Sequence, residues 1–245
     1  MISQSKVVVI TGASSGIGEA LAIEYAEQGY SVYACGRNQA KLNTLCEKSE
    51  HITPCIFDLN DKNALNNALP KDLAIDHLIL NAGTCEYIDN AKQFDGELFE
   101  RVIQTNLISV GYCLESWLKH IKFGGQLGLM SSSAAYVPLT RAEAYGASKA
   151  GITYLAKTLS VDLEPQEIGI SVIHPGFVKT PLTDKNDFDM PGIIEANDAA
   201  KAIFIGMSKN KFDIHFPKGF TWTLKVLSLL PFSIWRPLAK RMIKT

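Results

Sequence analysis

Tyr145 and Lys149, four positions apart in AYGASK, are residues whose types and spacing suit proton chemistry. Four residues is a little over one helical turn, so the phenol and the ammonium lie on one side of a helix. A phenol titrates near pH ~10, and a nearby cation stabilises its phenolate, so the pair reads as a proton donor tuned toward neutral pH. The same spacing also occurs on ordinary helix surfaces, and two residues alone do not separate the readings. The small residues between them keep that face slim enough for a flat ring to lie against both polar heads.

A second constellation stands near the N-terminus, in Thr11-Gly12-Ala13-Ser14-Ser15-Gly16-Ile17-Gly18. It joins a β-branched run, KVVVI, to IGEALAIEYAEQG, which carries Ile17, Leu21 and Tyr25 at helical spacing. Glycines in such a turn let the backbone approach a pyrophosphate, whose charge sits on the helix N-terminus. A tight loop that binds nothing is the alternative. No G-x-x-x-x-G-K-[ST] run occurs, so an ATP-type phosphate loop does not fit. The next strand ends in Cys35-Gly36-Arg37-Asn38, where a protein selecting NAD places an acid on the ribose hydroxyls. A guanidinium instead clasps a 2′-phosphate, so Arg37 predicts NADP(H) over NAD(H), unless it is merely an exposed loop residue.

These residues need elements to position them. Lys6 to Ile10, Tyr30 to Gly36, HITPCIFDLN ending near Asp58, DHLILNAG stopping at Asn81, Gly124 to Ser133, ISVIHPG and Phe212 to Phe216 read as seven strands. Between them lie helical patterns: one ended by Gly29, then Asn38 to Lys48, Asp61 to Leu69, about Gly96 to Lys122, and Tyr145 to Leu163. This alternation predicts an α/β protein with a parallel sheet covered on both faces. The length, 245 residues with 47% hydrophobic and 20% charged, suits one globular domain.

A net charge of −1 gives no field to attract nucleic acid. Five cysteines without C-x-x-C spacing read as reduced thiols of a cytoplasmic protein. The five histidines are isolated, so no zinc pattern appears. The N-terminal apolar run is too short for a signal peptide, and no run approaches the ~20 residues of a membrane span.

In order along the chain, TGASSGIG, LNAG, Tyr145-x-x-x-Lys149 and HPGFVKT resemble the motifs of the short-chain dehydrogenase/reductase superfamily in its compact single-domain branch. The resemblance spans about Lys6 to Thr180. It implies a doubly wound Rossmann fold and hydride transfer between nicotinamide and a carbonyl or alcohol. It further implies that Tyr145 is the general acid/base and that Lys149 tunes it and holds the nicotinamide ribose. A serine should donate to the substrate oxygen; Ser131, Ser132 and Ser133 stand in a row, and the family's spacing picks Ser132, or Ser133 if the loop is one residue shorter. Asn106 matches a helix asparagine that supports a water chain from the lysine; satisfying its own helix backbone is the other reading. Cofactor contacts are expected from Gly12, Ser14, Ser15, Gly16, Ile17, Gly18, Arg37, Asn81, Ala82, Gly83, Tyr145, Lys149, Pro175, Gly176, Val178 and Thr180. Asp58 is placed to meet the adenine or to cap the next turn. No metal is implied. A non-catalytic NADP(H) sensor is the rival function, and retention of Ser132, Tyr145 and Lys149 weighs against it.

Past Thr180 the resemblance thins. Residues 181–200 have the charged, proline-bounded composition of a substrate lid, and the core is expected to end near 216. Residues 217–245 form an apolar extension interrupted by Pro231 and Pro237, with Arg236, Lys240, Arg241 and Lys244 gathered at its end. It reads as a helix pair packed on the body or on a second subunit, as a peripheral membrane contact, or as a partner groove. The resemblance implies a homo-oligomer, but this ending gives no stoichiometry. Cys85, Glu86, Tyr87, Tyr136 and Phe177 are candidates to line the pocket of a hydrophobic small-molecule substrate.

Overall fold

A computed structural model describes residues 5–241. Its strands are β1 (Val7–Thr11), β2 (Ser31–Gly36), β3 (Ile52–Ile56), β4 (Ile75–Leu80), β5 (Ile121–Met130), β6 (Gly169–Pro175), β7 (Val178–Lys179), β8 (Ile194–Glu195) and β9 (Asp213–Phe216). Its helices are α1 (Gly16–Glu27), α2 (Gln39–Cys46), α3 (Lys62–Asn66), α4 (Gly96–Ile103), α5 (Ser109–Trp117), α6 (Glu143–Asp162), α7 (Ala196–Ser208), α8 (Lys218–Leu227) and α9 (Phe232–Lys240).

Seven strands form one sheet in the order β3-β2-β1-β4-β5-β6-β9, all pairs parallel. Parallel strands covered on both faces must be apolar throughout, and Val8, Val9 and Ile10 of β1 are wholly buried. One face packs against α1, α2 and α7 through Leu21, Tyr25, Leu42, Ile203 and Met207. The other packs against α3, α5 and α6 through Leu65, Cys113, Trp117 and Ile152. The fold is the doubly wound parallel sheet expected, and its strand order reverses between β1 and β4. Ligands of such sheets bind at this crevice, outside the strands' carboxyl ends.

Three local expectations change. The helix read from Gly96 to Lys122 is interrupted by a π-helical turn at Gln104–Ile108 and stops before β5, which begins at Ile121. Ile121 is buried and pairs with Ile75, so sheet pairing claims the residue that helical periodicity had assigned to α5. The segment 181–200 is not loop throughout: β8 pairs with β7, and its last residues begin α7. Pro237 does not interrupt the extension but lies inside α9. Its missing N–H costs a bond, yet the helix is held by Trp235, which is buried and donates from Nε1 to the Pro138 carbonyl at 3.0 Å.

The extension is a helix pair packed on the body. Leu224 and Trp235 bury against Val137, with Tyr136, Leu139 and Phe220 around them. Lys244 lies outside the described residues. Among the described residues no helix is long and apolar enough to cross a membrane.

Candidate active site

The turn after β1 is held open by its glycines. Gly12 has φ +69°, and a Cβ on Gly18 would sit 2.2 Å from the Gly12 carbonyl oxygen. Such a contact is impossible without moving backbone, so α1 can start this close to β1 only with glycine there. Thr11 ties the turn to the neighbouring strand: its Oγ1 accepts from the Asn81 and Ala82 amides at 2.9 and 3.0 Å, and Asn81 Nδ2 donates to its carbonyl at 2.9 Å. Sequence reasoning missed Thr11 as a site residue. The one available signal was a hydroxyl immediately before the glycine turn.

A cleft of about 380 Å³ opens above this crevice. Gly12, Ser14, Ser15, Gly16, Ile17 and Gly18 form one side, Arg37 and Asp58 one end, and Asn81, Ala82 and Gly83 part of the floor. Pro175, Gly176, Val178 and Thr180 close it from β6, with the Thr180 methyl against Gly16. Ser132, Tyr145 and Lys149 line the other end. Of the residues expected in catalysis or cofactor binding, Asn106 does not reach the lining, nor does the alternative Ser133; the candidate substrate-pocket residues Cys85, Glu86, Tyr87, Tyr136 and Phe177 lie outside it as well. Phe57, Asn60, Thr105 and Leu182 line it without having been anticipated.

At the rim, Arg37 Nη1 stands 3.4 Å from Asp58 Oδ2, both side chains substantially exposed. Asp58 Oδ1 also accepts from the Asn60 amide at 2.9 Å, so it caps a turn, whereas the N-cap of α3 is Asp61. Asp58 therefore caps a local turn and also stands in the cleft lining.

The reacting corner follows from the register of α6. Ala144, Ser148, Ile152 and Ala156, four apart, are the buried seam against the sheet. Tyr145 and Lys149 form the adjoining row, which lies along the strand ends. Lys149 is 3% exposed, and its Nζ donates to the Met130 carbonyl at the end of β5 at 2.9 Å. The same Nζ lies 5.7 Å from the centroid of the Tyr145 ring.

The three serines separate cleanly. Ser131 also belongs to the lining, but its Oγ donates to the Lys149 carbonyl at 2.8 Å and stands 2.8 Å from Thr153 Oγ1, so its hydroxyl is engaged in supporting α6. Ser132 faces the cleft, its Oγ accepts from the Ala134 amide at 3.1 Å, and its hydroxyl is near enough to Tyr145 to favour the phenolate. Ser133 is buried and begins a 3-10 turn.

The electrostatics run opposite to the sequence expectation. Burial pushes the Tyr145 phenol well above its usual value, Cys85 adds to this, and the Ser132 hydrogen bond only partly offsets it. Burial likewise lowers Lys149 to about 8, against a smaller opposing effect of Cys85. From the protein's own groups, then, desolvation outweighs the pairing, and both side chains are driven toward their neutral forms.

Asn106 sits in the π-helical turn at 1% exposure. Its Oδ1 accepts from the Thr84 amide at 2.8 Å, and its Nδ2 donates to the Thr84 carbonyl at 2.9 Å and to Ser148 Oγ at 3.0 Å. It thus serves the loop after β4 rather than its own helix backbone. A π-turn re-aims side chains within a helix and recurs at functional sites. A Cβ on Gly83 would come within 3.2 Å of Asn106 Oδ1 and 3.3 Å of Lys149 Nζ, so both groups flank that glycine.

Beside Tyr145 lies an aromatic wall. Tyr87 packs on Phe188 at 5.8 Å, Phe188 on Phe177 at 6.0 Å, and Phe177 on Phe220 at 5.4 Å between centroids. Tyr87 Oη donates to Asn186 Oδ1 at 3.3 Å, and Arg141 binds Asp89 and Asp187, which ties the expected lid to the loop after β4. Of the candidate pocket residues, Glu86 is instead paired with Arg101 at 2.8 Å. Tyr136 stacks on His174, 4.6 Å between centroids.

A sequence profile of the short chain dehydrogenase family matches residues 6–190. An uncharacterized oxidoreductase of Myxococcus xanthus is 30% identical over 247 residues, covering 97% of each chain. An 11-beta-hydroxysteroid dehydrogenase-like protein of Arabidopsis thaliana is 30% identical over 92% of this chain and 78% of its own. A short-chain dehydrogenase from Sphingobium yanoikuyae, solved in complex with NADPH, superposes with a TM-score of 0.78 at 25% identity, covering 87% of this chain and 88% of that one.

Proposed function

The chain belongs to the short-chain dehydrogenase family, and from that premise we propose that it is an NADP(H)-dependent oxidoreductase interconverting a hydrophobic carbonyl compound and its alcohol. The observation that carries this reading is convergence: Ser132, Tyr145 and Lys149 share one cleft with the glycine turn. A dinucleotide suits that cleft. Backbone at Gly12 and Gly16 leaves room where a Cβ would collide, and Asp58 is the one carboxylate in a lining that includes Arg37 and Lys149. Ser14, Ser15 and the N-terminus of α1 would hold the pyrophosphate, and Arg37 the 2′-phosphate. The NADPH bound by the Sphingobium yanoikuyae relative supports this choice of cofactor.

The nicotinamide, when bound, supplies or accepts the hydride. The protein manages the proton. Desolvation keeps Tyr145 protonated and neutral, so in the reducing direction its hydroxyl is a ready proton donor for general acid catalysis. Ser132 donates to the same substrate oxygen as negative charge develops there. Lys149 is fixed in direction by the Met130 carbonyl, and Asn106, through Thr84 and Ser148, positions the backbone around it. The aromatic wall from Tyr87 to Phe220 excludes water and favours an apolar substrate, as does the hydroxysteroid dehydrogenase-like relative.

Assay of a panel of hydrophobic ketones and alcohols by cofactor absorbance tests this. Tyr145→Phe should lower turnover by ~10²–10⁴-fold while NADPH affinity stays near wild type. Near-wild-type turnover in that variant would overturn the role of Tyr145, and tight NADPH binding without turnover of any substrate would favour a sensor.

A further inference from the structure

Helices α8 and α9 are apolar on the side facing away from the body as well as on the side they bury. Leu224 and Trp235 anchor the pair inward. Outward stand Trp222 at 56%, Val226 at 60%, Leu229 at 82% and Phe232 at 63% exposure, with Ile234 and Leu238 beside them. Trp222 and Val226 follow helical spacing along one face of α8, Leu229 stands in the turn after it, and Ile234 and Leu238 share one face of α9. An exposed apolar patch of this extent marks a contact surface, and this one runs over both helices and the turn between them.

The segment's own charge is of one sign, with Lys225 turned inward onto Asp213. Residues 217–245 carry six Lys and Arg and no Asp or Glu. Arg236, Lys240 and Arg241 are exposed at the far end of the pair. We propose that this face docks on an anionic lipid bilayer, the apolar side chains entering the headgroup boundary and the cations lying against the lipid phosphates. A second copy fits less well, because a symmetric contact would set these cations against their own counterparts with no acid in either segment. Phe220, on the inner side of α8, stacks on Phe177 of the aromatic wall. A bilayer on the outer side therefore lies across α8 from that wall, the side from which a lipid-soluble substrate would arrive.

The test uses the full chain, sedimented with vesicles of phosphatidylcholine alone and with vesicles containing a quarter phosphatidylglycerol. Binding to the anionic vesicles at low salt is expected, with at least a tenfold loss at high salt or on pure phosphatidylcholine. The pair L229E/F232E, at exposed positions, should lose binding at least tenfold while its thermal melt by circular dichroism matches wild type. R236E/K240E should bind both vesicle types equally weakly. No sedimentation of the wild type with anionic vesicles overturns the proposal, as does unchanged binding by L229E/F232E. So does a concentration-dependent dimer in analytical ultracentrifugation that L229E/F232E converts to monomer while vesicles capture nothing.

Discussion

His174 donates from Nδ1 to the Asp213 carboxylate at 3.0 Å. Its other nitrogen, Nε2, is 3.1 Å from Thr153 Oγ1, and Thr153 and Ser131 both bond the Lys149 carbonyl. On the far side Asp213 receives Lys225 of α8, which also lies over the Tyr136 and Trp222 rings. One polar chain therefore runs from the C-terminal extension to the backbone of the helix that carries Tyr145 and Lys149.

Asp213 is the hub of that chain. Burial alone would raise its carboxyl, but hydrogen bonds and charge from His174 and Lys225 more than offset this and hold it well below the usual range. A depressed carboxyl stabilises the fold above its unfolded value near ~3.9, and that contribution is lost as pH falls through the lower folded value. Asp213→Asn should cost about 1–3 kcal/mol at pH 7 in urea unfolding. The low end applies because the Asp213 side chain is 35% exposed. Equal stability of variant and wild type at pH 7 would show that the chain of bonds is incidental.

Ser132 and Ser133 offer a second comparison, because only Ser132 faces the cleft. Ser132→Ala removes a donor to the developing oxyanion and should reduce turnover by ~10²–10³-fold. Ser133→Ala, at a buried position behind it, should leave turnover within a few-fold. Steady-state assays of both variants decide the matter, and the reverse pattern would reassign the donor.

What could be read in advance divides by range. Val8 to Ile10, Leu78 to Leu80 and Val172 to Ile173 announce buried strands because their apolar runs are local, and the glycine turn and Tyr145-x-x-x-Lys149 are contiguous motifs. The His174–Asp213–Lys225 chain is invisible in sequence, since its members lie 39 and 12 residues apart and meet only through sheet order. The π-turn at Asn106 keeps helical composition, so no periodicity marks it. The direction of the Tyr145 shift was missed for a similar reason: sequence places a cation beside the phenol but says nothing of how deeply both are desolvated.

Arg37 tests the choice of cofactor. It is exposed and lies 3.4 Å from Asp58, so its charge is available at the rim without a buried partner to leave behind. Arg37→Ala should raise the KM for NADPH by roughly tenfold, the loss of a charge-assisted contact. The KM for NADH should barely move. Equal loss for both cofactors would mean that Arg37 shapes the cleft rather than reading the 2′-phosphate.

His77 sets the acid limb of stability. It is 7% exposed, packs against both the Tyr25 and Tyr30 rings, and stands with Nδ1 2.9 Å from the Tyr25 hydroxyl. Burial, helped by Lys6 and opposed by Asp76, lowers it to about 4. The unfolded chain takes up this proton near pH ~6.5 and the folded chain does not until about 4, so acid favours unfolding across that window. The stability is fully present above pH ~6.5 and falls by up to about 3 kcal/mol as pH approaches 4. His215, also lowered to about 4 by burial and by Lys225 and Lys218, acts with the same sign. Between pH ~6.5 and 5 carboxylates of ordinary pKa scarcely titrate, so histidines dominate the slope there. Thermal melts of wild type and His77→Gln across that interval should show a falling Tm in wild type and a shallower fall in the variant. Parallel curves would mean that His77 accepts its proton in the folded protein as readily as in the unfolded chain.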